Sequence, residues 1–425
     1  MGAELKTYGD ALDFLFARTT GVWKLGLERV EGFLHLLGDP HRDLRTLHVA
    51  GTNGKGSVCA TLEAALRARG LRVGKYTSPH LVDFRERFLI DGAPVEAERI
   101  VSFVEQWTPE VERLGATFFE ATTAMAFTFF AEAKVDVAVI ETGLGGRLDA
   151  SNVVQPLVAG VTNIGIDHVE YLGGTREEIA VEKAGIFKRN TPAIVGEPEA
   201  EIRALLCREA VARGASPIRC VYEDGGPSDV RVTAEGTDFT LGGQRIRTPL
   251  VGAHQAANAA VAMAMLDALP DDLRPSNADL HRGLSQVLLP GRFQRVGRYL
   301  FDVAHNPDGA ATLARTMEAV RPPGPVVAVF SVLADKDWRG MLDVLSGVVD
   351  HFVLTHCPTA PASRAWNLPE VLAYARERGV SAEVIRDFDR ALVRGEAQGA
   401  TVLITGSFHT VGDAMARLEV NPTGG

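Results

Sequence analysis

Ala50-Gly51-Thr52-Asn53-Gly54-Lys55-Gly56-Ser57 follows the apolar run Thr46–Ala50 and opens Ser57–Arg69, a segment with helical apolar spacing. Strand, glycine-rich loop and helix in that order is the context in which a loop binds phosphate. Glycines let backbone N–H groups converge on phosphate oxygens, and the helix N-terminus adds partial positive charge. Lys55 reaches toward the outer phosphates, and the Ser57 hydroxyl is placed to ligate Mg2+. Thr52, Asn53, Gly54, Lys55, Gly56 and Ser57 are therefore the expected nucleotide-binding residues. The alternative, a strand–helix turn with no ligand, gives no reason for a lysine between two glycines. Gly56 separates Lys55 from Ser57, so the loop departs from the common G-x-x-x-x-G-K-[ST] form.

Outward from the loop, apolar runs alternate with helical segments. Strands are expected at Arg72–Tyr76, Val135–Glu141 and Leu157–Thr162, and a buried helix at Phe119–Ala133. Such alternation implies crossover units and a mainly parallel sheet covered by helices. Thr175 and Glu178 form a T-x-x-E capping box, which predicts a helix running toward Phe187. Between Val221 and Leu250 glycines and prolines punctuate short alternating segments, Asp229–Ala234, Thr237–Leu241 and Gln244–Thr248, the chemistry of antiparallel hairpins. Helices return at His254–Leu269 and Ser276–Leu288. Pro290-Gly291 then breaks the pattern, and strands are expected at Tyr299–Val303, Val326–Phe330, Phe352–Thr355 and Val402–Thr405. The fold expected is α/β: residues 1–289 as a P-loop ATPase domain with a mainly parallel sheet and a small antiparallel insertion, and 290–425 as a smaller Rossmann-like domain.

Composition narrows the function classes. A chain of 425 residues suggests two or three domains, and 46% hydrophobic against 23% charged residues is an ordinary globular profile. A formal net charge of -10 argues against a nucleic-acid partner. Met1–Asp10 shows no signal-peptide pattern, and Ala121–Ala133 is threonine-interrupted and too short to span a bilayer, so a cytoplasmic protein without a membrane partner is expected. Cys59, Cys207, Cys220 and Cys357 lie far apart in sequence without a C-x-x-C pair, which supports neither a metal nor a disulfide framework. Glu141 ends an apolar strand, where open α/β sheets place their ligands, and a carboxylate there suits Mg2+ against nucleotide phosphates.

The Gly51–Ser57 run resembles the loop of Mur ligases, and of folylpolyglutamate synthases among them. Tyr76–Leu81, Phe84–Arg87, Glu141–Ala150, Gly165–His168, Glu182–Lys188, Pro290–Arg292, Asp302–Pro307 and Thr405–Ser407 are similar, in order, to further signatures of that family. The resemblance spans about Leu25 to Val411. It implies an ATP-dependent carbon–nitrogen ligase joining L-glutamate to dihydropteroate, to the γ-carboxylate of tetrahydrofolate, or to both, through an acyl phosphate. The metal set it implies is Ser57, Ser78, Glu141 and His168, holding two Mg2+ ions; a buried structural histidine is the other reading of His168. It implies that Lys183 is carbamylated by CO2, the alternative being a solvated helix lysine.

By the same resemblance, Asn258 faces adenine, Asp302 holds the ribose hydroxyls, and Arg292 meets the γ-phosphate; for Arg292 an ordinary linker arginine stays open. The pterin segments are Lys24, Leu25, Gly26 and Leu27, then Thr117, Phe118, Phe119 and Glu120, then Leu148, Asp149 and Ala150. Lys24 stands where bifunctional relatives tend to carry an acidic residue. His305 and Ser407 are the candidates at the glutamate, with a surface histidine and a helix N-cap as the plainer readings. Asp335 and Lys336 occupy another strand-end loop. Lys55, Lys183, Arg292, His305 and Ser407 make up the expected catalytic group, and a monomer acting on small molecules is expected. The rivals are a folylpolyglutamate synthase alone, another Mur-type amino-acid ligase, or a nucleotide switch. A UDP-sugar ligase carries a domain ahead of the loop, for which residues 1–50 leave no room.

Overall fold

The computed structural model describes residues 7–19 and 26–420, so Lys24 and Leu25 of the expected pterin segments lie outside the described residues. The chain divides into two compact units. One comprises Met1–Pro79, Arg85–Pro227 and Ala257–Gln286, the other His80–Phe84, Ser228–Ala256 and Val287–Gly425.

The first unit is built on β1 (Thr46–Ala50), β2 (Val73–Tyr76), β3 (Phe88–Ile90), β4 (Ala93–Pro94), β5 (Val137–Glu141), β6 (Val158–Val161), β7 (Ala193–Val195) and β8 (Ile218–Cys220). They form one sheet in the order β4-β3-β2-β5-β1-β6-β7-β8. Every pairing from β2 to β8 is parallel, and β3 and β4 add an antiparallel edge. All positions of β1 and β5 are buried, Thr46 and His48 of β1 included, and β5 accordingly reads as a continuous apolar run rather than an alternating one. The β3–β4 hairpin turns at Asp91-Gly92, both with positive φ, the backbone that a two-residue hairpin turn requires. The expected capping box closes in both directions, Glu178 N–H to Thr175 Oγ1 at 3.2 Å and Thr175 N–H to Glu178 Oε2 at 3.1 Å. The helix it starts, Arg176–Ala184, ends at its C-cap Gly185, short of Phe187, and Gly185 passes too close to the Arg147 backbone for any side chain.

The second unit holds β9 (Ser228–Thr233), β10 (Gly236–Leu241) and β11 (Gln244–Thr248) as an antiparallel sheet. Its larger sheet combines β12 (Gln294–Val296), β13 (Tyr299–Phe301), β14 (Val326–Phe330), β15 (His351–Leu354), β16 (Ala382–Val384) and β17 (Thr401–Thr405) in the order β12-β13-β17-β14-β15-β16. Only the β12–β13 pairing there is antiparallel. The division of the chain differs from the expected one. The antiparallel sheet, expected as an insertion in the first domain, packs with the second unit, because Val232 and Val251 join the core around Leu313 and Met317 of the helix Pro307–Val320. The later boundary falls at Gln286/Val287 rather than at 289/290.

All four cysteines are free thiols, though tertiary packing brings two of them together. Cys207, on the helix Ala200–Ala212, and Cys220, in β8, bring their Sγ atoms to 2.7 Å. Among the described residues no helix is long and apolar enough to cross a membrane.

Candidate active site

The phosphate loop leaves the C-terminal end of β1, between β5 and β6, and feeds the helix Lys55–Ala68. Its conformation depends on glycine at two points. Gly51 (φ 149°) lies against Thr162 Oγ1 and Gly54 (φ 87°) against Asn258 Oδ1, so a Cβ at either position would collide. Asn258 therefore supports the helix N-terminus at Gly54. Thr162 donates from its hydroxyl to the Asn53 carbonyl at 2.6 Å. The Asn53 N–H donates to Asn163 Oδ1 at 3.0 Å, and the Thr52 N–H to the Asn163 carbonyl at 2.8 Å. Thr52 Oγ1 accepts from the Gly165 N–H at 2.9 Å and donates to the Gly165 carbonyl at 3.1 Å.

The Lys55 ammonium donates to the carbonyls of Gly51 (3.1 Å) and Thr52 (3.3 Å) and lies 3.9 Å from Glu141 Oε1. Glu141 ends β5 beside Val49 of β1, and its buried carboxylate accepts the Ser78 N–H at 3.3 Å. Ser57 is buried in the first turn of the loop's helix. Glu141 with the hydroxyls of Ser57 and Ser78 is a hard-oxygen donor set that suits Mg2+ or Mn2+. Among the described residues no three His, Cys, Asp or Glu side chains converge as a metal group. His168 is exposed, at φ 53°, ahead of the short helix Val169–Leu172, with Nε2 3.9 Å from Asp167 Oδ2. That rules out the buried structural histidine as its reading.

Lys183 is not a solvated helix lysine. It is buried, and its Nζ donates to the Gly51 carbonyl at 3.0 Å. Burial first, then the nearby Lys55 ammonium, pushes its amine down to about 7, against the opposing pull of Asp167 and Asp149.

The expected pterin segment Thr117–Glu120 is anchored by residues that neighbour the other two. Thr117 caps the helix Phe118–Glu132, and Glu120 completes the capping box from a buried position. Glu120 is also paired with Arg29 at 2.9 Å, which ties in the helix Glu28–Leu36 directly after Gly26 and Leu27. The Phe119 ring lies over Gly143, leaving no space for a side chain there, and Phe118 stacks on Phe16 with Arg87 over its face. Asp149 is fully engaged inside its own loop. Oδ2 accepts the N–H groups of Gly143 (2.9 Å) and Leu144 (2.8 Å), while Oδ1 accepts the Ser151 N–H (3.0 Å) and hydroxyl. His48 Nε2 meets that Ser151 hydroxyl at 2.9 Å, extending the network into β1. Leu148 is half-buried and Ala150 buried beside it. The structure thus shows Thr117, Glu120 and Asp149 shaping the segments they belong to.

In the second unit three expected residues gather near one ring. The Arg292 guanidinium sits 5.1 Å over Phe408, and the His305 ring lies 5.5 Å from it. His305 Nδ1 donates to the Val303 carbonyl at 2.9 Å, which sets the tautomer. Ser407 precedes Phe408 and caps the helix Phe408–Arg417 by accepting the Thr410 N–H at 3.0 Å, the plainer of its two readings. Asp302 accepts the N–H groups of Phe293 and Ala304, each at 2.9 Å, and burial pushes its carboxyl up against the pull of Arg292. Asp335 is held bidentately by Arg364 at 2.8 and 2.7 Å.

Arg176 and Glu197 escaped the sequence reading, although they bond each other and both backbone groups of Ile164, the residue between Asn163 and Gly165. Glu197 follows β7 as Glu141 ends β5, and an acid at a strand end was the signal available.

A parallel sheet, a lysine-bearing phosphate loop and a strand-end carboxylate define a nucleotide-binding α/β protein. Residues 49–266 match the Mur ligase middle domain and residues 291–408 the Mur ligase glutamate ligase domain. The dihydrofolate synthase/folylpolyglutamate synthase of Escherichia coli (strain K12) is 39% identical over 414 residues, covering 94% of this chain and 93% of that protein. The protein of the same name from Mycobacterium tuberculosis is 38% identical, over 93% and 90%. Among solved structures, E. coli FolC in complex with DHPP and ADP superimposes with a TM-score of 0.85 at 35% identity, covering 99% of both chains. A bifunctional folylpolyglutamate synthase/dihydrofolate synthase with Mn, AMPPNP and L-glutamate bound gives 0.82 at 36% identity, over 99% and 100%. The chain belongs to the dihydrofolate synthase/folylpolyglutamate synthase family of Mur ligases.

Proposed function

We propose that the chain is an ATP-dependent ligase that joins L-glutamate to the carboxylate of dihydropteroate and to the γ-carboxylate of tetrahydrofolate. The observation that carries this reading is the Gly51–Ser57 loop, with Lys55 between its own carbonyls and Glu141, in a chain that matches both Mur ligase domains. The same reading has it acting as a monomer in the cytoplasm.

A carboxylate is a poor electrophile. Transfer of the γ-phosphoryl group to one of its oxygens releases ADP and leaves an acyl phosphate. The neutral amine of glutamate attacks the carbonyl carbon, the C–O bond to phosphate breaks, the amine proton is lost, and inorganic phosphate departs with the amide formed. Lys55 swings from the loop carbonyls to the β- and γ-phosphates, and the loop N–H groups hold the same oxygens. Ser57, Ser78, Glu141 and His168 would hold Mg2+, which when bound would neutralise phosphate charge during transfer.

Lys183 is proposed to be carbamylated. Its amine is buried and held down to about 7, so a large share is neutral near pH 7 and able to react with CO2. The product is an anion carrying two oxygens beside Gly51. On the acceptor side, Phe118, Phe119 and the Gly143–Ala150 loop offer an apolar face with directed polar groups, which suits a flat heteroaromatic ring. In the second unit, Arg292 and His305 beside Phe408 suit anionic ligands, and the proposal assigns phosphate charge to Arg292 and glutamate to His305, with Asp302 taking hydroxyl groups. Phosphate release from ATP tests the whole reading: it is expected only when a pteroate-type acceptor and L-glutamate are both present. Release without either acceptor would indicate a nucleotide switch instead.

A further inference from the structure

Behind the phosphate loop lies a buried carboxylate for which the reaction as described has no use. Glu197 is wholly shielded from solvent, at 0% exposure. Its Oε2 accepts the Ile164 N–H at 2.7 Å, and its Oε1 accepts from Arg176 Nη2 at 3.0 Å and from the Glu199 N–H at 2.9 Å. Arg176 Nε in turn donates to the Ile164 carbonyl at 2.9 Å. The pair therefore grips both backbone polar groups of one residue. Ile164 sits between Asn163 and Gly165, the two residues that hold Thr52 and Asn53 of the phosphate loop. Burying an anion costs solvation, and an apolar side chain would fill the same space without that cost. What an apolar residue cannot do is hold the Ile164 amide and the Arg176 guanidinium at once, while Arg176 Nη1 pairs with Glu199.

Arg176 and Lys183 belong to the same helix, Arg176–Ala184. Lys183 reaches the Gly51 carbonyl from its C-terminal end, and Arg176 reaches Ile164 from its N-terminal end. This one helix thus braces the loop at its first glycine and, through Asn163 and Gly165, at Thr52 and Asn53.

We propose that the Arg176–Glu197 pair is a positioning device for nucleotide phosphate, acting through Ile164 on the Thr52–Asn53 backbone. It rests on the assignment of the Gly51–Ser57 loop to nucleotide. Loosening the pair lets the loop N–H groups drift from the phosphate oxygens, and a small misplacement there weakens binding and transfer together. The bonds of this pair to Ile164 and Glu199 involve none of the residues proposed to hold glutamate or the pterin acceptor, so those affinities are expected to be independent of it.

The test is calorimetric binding of MgADP to the full chain, alongside steady-state kinetics, for Glu197→Gln and Arg176→Lys. Glu197→Gln keeps the shape and removes the charge; Arg176→Lys keeps the charge, removes the Nε–H bond to the Ile164 carbonyl, and sits at a partly exposed position. Both are expected to raise the MgADP Kd and the MgATP KM about tenfold, with the KM values for glutamate and acceptor within about twofold of the parent. The double variant is expected to match the worse single variant, as members of one unit do. A purely structural role lowers Tm and the active fraction with every Kd and KM unchanged, and that result, or unchanged MgADP binding in Arg176→Lys, overturns the proposal. MgADP binding needs no ligation. A parent protein that binds MgADP but joins no glutamate would therefore defeat the proposed function while leaving the clamp to be judged on its own.

Discussion

Lys183 Nζ donates a 3.0 Å hydrogen bond to the carbonyl of Gly51, the glycine that opens the phosphate loop. The contact joins the residue proposed to carry a carbamate to the loop proposed to carry the phosphates. It also puts two amines, those of Lys55 and Lys183, on that one carbonyl. Their mutual repulsion, added to burial, favours the uncharged form of the more buried one.

That competition predicts a pH dependence. Only the neutral amine reacts with CO2, and the neutral fraction of Lys183 rises as pH increases through about 7. At fixed dissolved CO2, carbamate on Lys183 should increase from about pH 6 to about pH 8, as read by 13C NMR with labelled bicarbonate. Lys183→Ala should be nearly inactive and partly rescued by short-chain carboxylic acids. A fully active Lys183→Ala with no 13C signal in the parent would remove the carbamate from the mechanism.

Lys55→Ala should abolish ligation while leaving the fold intact. The side chain bonds only to loop carbonyls and lies near Glu141, so it does no packing that alanine would upset. A loss of about 100-fold or more in kcat is expected, the scale of removing one preorganised donor from developing charge. Circular dichroism and Tm near the parent values, with near-normal turnover, would contradict the loop assignment.

Glu141→Gln keeps size and shape but removes the charge proposed to face a divalent ion. Charge stabilisation of several kcal/mol by a bound metal corresponds to a rate loss on the order of 100-fold or more. The Mg2+ concentration giving half-maximal rate should rise as well. An unchanged rate with an unchanged Mg2+ titration would exclude Glu141 from the metal site.

Both acceptors should react at one nucleotide site. Dihydropteroate and tetrahydrofolate each present a carboxylate to the same γ-phosphate, and the Phe119–Gly143 contact joins two segments proposed to face the pterin. Steady-state assays with each acceptor at saturating MgATP and glutamate decide the point. Activity with tetrahydrofolate alone would make the chain a folylpolyglutamate synthase only, and activity with dihydropteroate alone a dihydrofolate synthase only.

The strand–loop–helix at Thr46–Ala68, the Thr175–Glu178 capping box and the antiparallel segments of Ser228–Thr248 were legible because each is written in neighbouring residues. Apolar period, a glycine where φ must be positive, and a hydroxyl three positions before a carboxylate are local rules. The short strands β3, β4, β7 and β8 gave no such period, being two or three residues long. The antiparallel sheet was recognised from its turns, but its allegiance was not, since that depends on which core takes Val232 and Val251.

By itself, the sequence determined the phosphate loop, the alternating α/β order, the strand-end Glu141 and the family resemblance, all matters of residue type and spacing along the chain. Tertiary structure alone decided that Lys183 is buried on Gly51, 132 residues away, and that Glu197 and Arg176 close on Ile164 behind the loop. The strand order β5-β1-β6-β7 makes those meetings. Hydrogen bonds and pKa shifts depend on distance in space and on exclusion of water, and neither quantity is encoded in any local window of the sequence.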